Sequence, residues 1–365
     1  KKYRTNSEFL FFLPFLSVAI LAMVFSPLIN LALVKTISFA LLYFVCFHYI
    51  YHKFQRYGRQ LIGDIVYLCH AVLFLGLLLL PILPFLVSYG GVRFNGLLGN
   101  PNGMGVFLTL ITPITLYYFQ KDKSISRRYR TLAWFAILLS LTLCSSRNAI
   151  FSFALFLTLH QAFSGSNIRR LIFFLVVIPS VAVVVYNIEL ESVVYNLGLE
   201  KYFRVKDFES GSGRIFAWQH ALELFAKNPV IGCGFACEEY NFIFRTTFRL
   251  WKTGHQGGVH NSYLAYLVNT GVIGFILFGA FWINICRKIK EYKFLIPYLA
   301  AVCFSAMFET WMFSSLSAFH IFFLVTMIWL LVESTQPQLL DHGELGEIDQ
   351  RVRFDLRHEG SGAVF

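Results

Sequence analysis

Two arginines and a histidine are the side chains in this sequence best suited to chemistry: Arg147, Arg214 and His260. A guanidinium is planar and permanently charged. It forks onto phosphate oxygens, and a diphosphate offers several. Arg147 stands in Leu143-Cys144-Ser145-Ser146-Arg147-Asn148-Ala149, where a polar turn meets an apolar run. An arginine bordering hydrocarbon needs a partner, water or a ligand. Its plainer reading is a side chain snorkelling to the interface. Arg214 opens an amphipathic segment that Ser212 can cap and that Asn228-Pro229 stops. There the guanidinium and the unsatisfied N–H groups of a first helical turn can converge on one anion. Within that segment, Ile215, Trp218, Leu222 and Phe225 are spaced to share one face, set against the membrane helices or the interface. His260 precedes a long apolar run. Near neutral pH an imidazole takes a proton from a hydroxyl nucleophile; the bland alternative is a helix-start histidine bonded to a neighbour.

Other polar residues surround these three. Arg93 to Gly103 includes Asn100 and several glycines, a pattern that allows tight turns with exposed amides, or simply a turn feeding a helix. Arg245 and Arg249, with Trp251 and Lys252, suit sugar or phosphate, or lipid headgroups. Glu309 falls near the end of an apolar run, where an acid calls for a partner such as an arginine across a cavity. His255 with Cys233, Cys237 or Glu238 raises a metal option, but the spacing matches no familiar zinc pattern and none is assigned. A Cys233–Cys237 disulfide is possible but not demanded, and fits poorly if both lie on one helix.

The elements that position these residues are membrane helices. Hydrophobic residues make up 57% of the 365 and charged residues 14%, too little charge for a soluble domain of this length. Apolar runs long enough to cross the bilayer cover about 9–26, 34–52, 62–88, 103–119, 130–144, 147–163, 170–187, 262–285, 294–312 and 315–332. The third contains Pro81 and Pro84 and is expected to kink; the fifth is short. Basic residues cluster before the first run, after the second, between the fourth and fifth, around 169–170 and after the eighth. The positive-inside rule then puts both termini in the cytoplasm, with a loop of about 188–261 outside. The organisation read from this is membrane helices over 1–187, the outer loop over 188–261, further helices over 262–332 and a polar cytoplasmic tail over 333–365. The net charge of +11 is largely juxtamembrane, which argues against nucleic-acid binding.

With these motifs the chain resembles the O-antigen ligase and O-antigen polymerase family of bacterial surface-glycan enzymes. Ser146-Arg147-Asn148-Ala149 is similar to the family's Ser/Thr-Arg-x-Ala, with Asn148 where glycine is common. Gly213-Arg214-x-x-x-Trp218, followed by Lys227-Asn228-Pro229-Val230-Ile231-Gly232-x-Gly234, is similar to its arginine helix and the turn after it. His260-Asn261-x-Tyr263-Leu264, with Gly271-x-x-Gly274, is similar to its His-Asn helix start, and Leu98-Gly99-Asn100-Pro101-Asn102 to another common element. The apolar runs give an all-α polytopic membrane protein of about ten spans with one large, partly helical extracytoplasmic loop, where the resemblance to the ligase implies twelve. The resemblance also implies a metal-independent, cofactor-free inverting glycosyltransferase in the bacterial inner membrane with a periplasmic site. The donor would be a glycan on undecaprenyl diphosphate. The acceptor would be lipid A–core for a ligase, another lipid-linked repeat for a polymerase, or a protein side chain. Arg147 and Arg214 would hold the diphosphate and His260 would activate the acceptor hydroxyl; Asn100, Arg245, Arg249 and Glu309 are further candidates for substrate contact. A transporter would instead place polar groups near the bilayer midplane, often in paired repeats, and a non-catalytic scaffold would not need two arginines and a histidine at one face.

Overall fold

The computed structural model describes residues 7–89, 93–164, 214–244, 258–314 and 317–336. The described chain is mostly helical. The longer helices are α1 (Leu13–Met23), α2 (Ile29–Val45), α3 (Tyr51–Leu79), α4 (Pro101–Lys121), α5 (Arg127–Cys144), α6 (Arg147–Ser164), α7 (Arg214–Lys227), α8 (Ser262–Lys288), α9 (Tyr292–Ala306) and α10 (Ala318–Thr335). Among the described residues, three continuous helical stretches are long and apolar enough to cross a membrane: Ile29–Leu79, Ser262–Lys288 and Ala318–Thr335. The expected span over 170–187 and most of the polar tail lie outside the described residues.

The first long stretch differs from expectation. A π-helical turn, Cys46–Ile50, joins α2 to α3 without the expected loop. Straight, its 51 residues would measure roughly 76 Å, more than twice the hydrocarbon thickness. It is broken at Gly58, whose φ of 49° and ψ of −121° are not helical. Before Gly58 the chain follows α10, with Tyr43 bonded to His320 at its start and Gln55 to Gln336 just past its end. After Gly58 it follows α4 the other way. Gly63 lies against Tyr118, His70 bonds Thr115, and Gly76 lies against Gly96 just before α4. Lys53, Arg56 and Arg59 therefore sit on a helical reversal. Nor does α3 kink at its prolines: it ends at Leu79, and Pro84 starts the short helix Pro84–Val87. A proline lacks the N–H that would continue the ladder, so the helix stops rather than bends.

Two ends of the bundle emerge from the long-range bonds. At one, Lys288 bonds Glu8 at 2.5 Å and Lys121 reaches Glu291 at 3.1 Å and Glu333 at 3.6 Å. At the other lie the sequence motifs. Between them the body is packed with aromatic rings. Phe12 stacks on Tyr43 at 3.9 Å, and Tyr266 stacks on Phe278 at 4.3 Å.

The Asn228–Gly234 turn docks into a second helix break. Within α8, Gly271 has φ 65°, which opens the backbone ladder there. The freed groups pair with the turn. Val272 and Ile273 donate to the carbonyls of Pro229 and Val230, while Cys233 and Gly234 donate to those of Val268 and Asn269. At Gly232, with φ 71°, a Cβ would sit 2.5 Å from the backbone of residues 269–270. Of the two settings expected for the Ile215–Trp218–Leu222–Phe225 face of α7, packing against the membrane helices does not hold for all of it. Ala217, Ala221 and Leu224 are buried, whereas Ile215 and Leu222 are exposed. Small alanines let α7 approach α8 closely, so the bulky pair is turned away while Trp218 and Phe225 pack at the margin.

Candidate functional site

Each motif residue sits at a helix start, and local bonds explain why. Between α5 and α6 the chain spends only Ser145 and Ser146, with Ser145 at φ 48°. Arg93 closes this corner: its Nε donates to Cys144 O at 3.1 Å and its Nη2 to Asn102 Oδ1 at 3.2 Å and Ser145 O at 3.4 Å. A cation on the last carbonyls of a helix both satisfies them and meets the negative end of its dipole. Arg147 then begins α6, half-buried. Beside it Asn148 donates to Ser305 O at 3.3 Å, anchoring this start to α9. That bond gives the asparagine, at a position where glycine is common in the resembled family, a local purpose.

Arg214 is the first residue of α7. Its Nη2 donates to Glu309 Oε1 at 2.8 Å, and its guanidinium carbon lies 5.8 Å from the centre of the Phe308 ring. His260 has φ 49°, an uncommon backbone for a residue with a Cβ. The following Asn261 caps α8, its Oδ1 accepting from Tyr263 N at 2.9 Å and Leu264 N at 3.1 Å. The His260 Nδ1 lies 3.3 Å from Glu309 Oε2.

Glu309 thus bridges Arg214 and His260. It is not at the end of a helix, as the apolar run to residue 312 implied. α9 stops at Ala306, and Glu309 stands in the turns that follow. Those turns are held by side chains of α8: Ser262 Oγ donates to Glu309 O at 2.7 Å and accepts from Met312 N at 3.3 Å, and Tyr266 OH donates to Met312 O at 3.0 Å. The three side chains retain 22% (Arg214), 15% (Glu309) and 28% (His260) exposure, so their charges are partly shielded from solvent and still reachable. A carboxylate only accepts, so Nδ1 must carry the proton it shares with Glu309. In a neutral imidazole donating from Nδ1, the lone pair is on Nε2.

The backbone entering His260 is fixed from below. Buried Glu238 accepts from Val259 N at 2.9 Å. Burial pushes its carboxyl up from the usual range, while that N–H, Lys35 and His260 pull it back. Cys233 and Cys237 are joined in a disulfide with Cα atoms 5.8 Å apart. The helical objection to that bridge does not arise, since Cys233 lies in the docked turn and Cys237 begins the short helix Cys237–Glu239. The bond occupies both sulfurs, which removes them from any metal set, and no cluster of three potential ligands occurs among the described residues.

A cavity of about 280 Å³ adjoins Glu309, with Asn100 and Asn102 also in its wall. Asn100 caps α4 through Asn102 N at 2.8 Å. The structure therefore brings Glu309, Arg214 and His260 into contact, puts Asn100 across the cavity from them, and ties the Arg147 corner to the helix preceding Glu309. Arg245, Arg249 and His255 lie outside the described residues. Sequence reasoning missed the clamping roles of Arg93, Ser262 and Glu238. Arg93 before a polar turn was a weak signal; the other two had none.

Three further histidines are buried among the described residues of the helical body: His160, whose Nε2 lies 3.3 Å from Gln120 Nε2, and two that are bonded through both ring nitrogens. His70 is bonded by Tyr129 at 2.8 Å and Thr115 at 3.0 Å, and His320 by Tyr43 at 3.1 Å and the Ser314 carbonyl at 3.2 Å. With both ring nitrogens engaged, each reads as a satisfied core residue.

Fold and site together define a helical membrane protein that gathers an arginine, a carboxylate and a histidine at one end of its bundle. The family model described as O-antigen ligase matches residues 132–279, which include Arg147, Arg214 and His260. This match, over 148 of the 365 residues, supports an assignment to the O-antigen ligase and polymerase family, a family of glycosyltransferase-like enzymes. Glu309 and Asn100 lie beyond the matched residues. No curated protein matches the chain.

Proposed function

We propose that the chain is an inverting glycosyltransferase that moves a glycan from undecaprenyl diphosphate to the lipid A–core at the periplasmic face of the bacterial inner membrane. The observation that carries this reading is the Glu309 carboxylate shared between Arg214 and His260. One carboxylate orients both a phosphate-binding group and a base. The acceptor hydroxyl gives its proton to His260 Nε2 as its oxygen attacks the anomeric carbon. The bond from that carbon to the diphosphate oxygen breaks, and the electron pair leaves with the diphosphate. Attack from the face opposite the leaving group inverts the centre. Arg214 uses one nitrogen on Glu309 and has other N–H donors for the diphosphate, with Arg147 supplying the second cation. Negative charge grows on the departing group, so fixed cations stabilise the transition state more than the bound donor. The reaction takes no metal and no cofactor. Asn100, Arg245 and Arg249 contribute to substrate contact, and the loop over 188–261 is extracytoplasmic while both termini are cytoplasmic.

The acceptor follows the name of the matched family, O-antigen ligase. Purified protein is incubated with lipid-linked donor and, separately, lipid A–core, a second lipid-linked repeat and a protein acceptor. Transfer to lipid A–core alone is expected. Growth of the lipid-linked glycan instead would make the enzyme a polymerase, and no transfer to any acceptor would remove the enzymatic reading.

A further inference from the structure

The cavity beside Glu309 has a wall unlike the arginine site next to it. No lysine or arginine lines it among the described residues. Its polar residues are Asn100, Asn102, Thr310, Ser314 and Ser317, with Glu309 as the one charged member among the described residues. Phe319 and Trp311 add aromatic surface. Trp311 is buried to 5% exposure, and its indole nitrogen is itself shielded from solvent and has no acceptor among the described residues.

Neutral amides and hydroxyls around a carboxylate, with aromatic rings beside them, form a wall for a polyhydroxylated ring. Hydroxyls of such a ring donate to carboxylate and amide oxygens and accept from amide N–H, while its C–H faces rest on aromatic rings. No cation stands in the wall itself; Arg214 and Arg93 are engaged with its Glu309 and Asn102 at 2.8 and 3.2 Å, and a phosphate would have to compete with those bonds. An alkyl chain would leave the amides and hydroxyls desolvated without partners, a costly outcome. The volume, about 280 Å³, lies at the small end of ligand pockets and suits a single ring rather than a chain of them.

We propose that this cavity is a saccharide subsite that holds one sugar ring next to Glu309. The inference rests on the glycosyl-transfer reading above and adds where a sugar sits. The ring belongs either to the donor, as the residue joined to the diphosphate, or to the acceptor, as the residue that presents the hydroxyl. Glu309 is common to the cavity and to the Arg214–His260 pair, so either ring would lie beside the reacting groups.

Gly103 allows a test that spares the catalytic residues. A Cβ built on it meets Phe319 Cζ at 3.4 Å, an ordinary contact, so Gly103→Ala is accommodated. Gly103→Leu fills the cavity. Ser317→Leu fills it from the other wall, and the Ser317 side chain makes no cap bond whose loss would unravel α10. Binding of two probes is measured for each purified full-length variant: undecaprenyl diphosphate without sugar, and the same lipid diphosphate carrying its glycan. Acceptor KM is measured alongside. The expected result is that both leucine variants bind the bare lipid diphosphate like the wild type and lose roughly tenfold or more, the scale of one or two hydrogen bonds, in either glycan-donor affinity or acceptor KM. Loss on the donor side assigns the ring to the donor, and loss on the acceptor side to the acceptor. Weakened binding of the bare lipid diphosphate would make the cavity a lipid or phosphate site and overturn the proposal. Unchanged values for both leucine variants would overturn it as well. Failure of the underlying reading shows differently: wild-type protein would then not bind the bare lipid diphosphate in an Arg214-dependent way.

Discussion

The two ends of the bundle use glutamate in opposite ways. At one, Glu8, Glu291 and Glu333 each meet a lysine, and the pairs join elements distant in sequence. Lysine is a compact charge on a flexible stem, and such pairs neutralise and tether. At the other, Glu309 meets an arginine and a histidine through separate oxygens, beside a cavity. An arginine fork and an imidazole hold direction as well as charge, so the carboxylate there fixes orientation and tautomer. Charge of the same kind serves assembly at one end; at the other, where Glu238 and the Glu239–Lys35 pair are structural as well, Glu309 serves reactivity. Substitutions should separate the two ends accordingly.

The sharpest separation comes from His260→Ala. Loss of an acid–base group typically lowers turnover by about 10²–10⁴-fold, and steady-state transfer assays should show a drop on that scale. His255→Ala should have a far smaller effect. Arg147→Lys and Arg214→Lys come next. An ammonium cannot reproduce the forked contact, and a lost charge-assisted bond of about 1.5–3 kcal/mol corresponds to roughly 10- to 150-fold. Normal transfer by both folded variants would refute the diphosphate site. Glu309→Gln should fall in the same range, roughly 10- to 150-fold, because the amide oxygen can still accept from Arg214 but the charge is lost and the NH2 group cannot accept from His260 Nδ1–H. Glu8→Gln at the opposite end should leave transfer unchanged. It should shift thermal unfolding only by what a partly exposed pair contributes, about 0–1 kcal/mol. If Glu8→Gln and Glu309→Gln damage transfer equally, the contrast between the ends collapses. The smallest effect is expected from chelation: treated enzyme should keep its rate, and restoration by zinc or magnesium after a loss would recast His260 as a ligand.

The sequence made the helical architecture and the motif residues legible, because apolar runs and charged residues at their ends are local signals. Arg214 at a helix start and the stop at Asn228-Pro229 follow from neighbours in the chain. Three things did not. The reversal at Gly58 hides in a polar helical stretch where one residue with positive φ replaces a loop. The buried face of α7 follows its alanines rather than its large residues, since close approach to α8 outweighs side-chain size. The position of Glu309 depends on Ser262 and Tyr266, 47 and 46 residues from their backbone partners, and nothing local announces such bonds.

The central claim is that one end of the molecule binds a diphosphate with its arginines and moves a proton with His260. The most direct measurement separates these steps in a single protein: donor binding and single-turnover transfer by His260→Ala. The account predicts wild-type affinity for the lipid-diphosphate donor and retention of that donor uncleaved after acceptor is added. Loss of donor binding with normal turnover of whatever donor remains bound would contradict it, placing His260 in the diphosphate site and leaving Glu309 as the next candidate for the base.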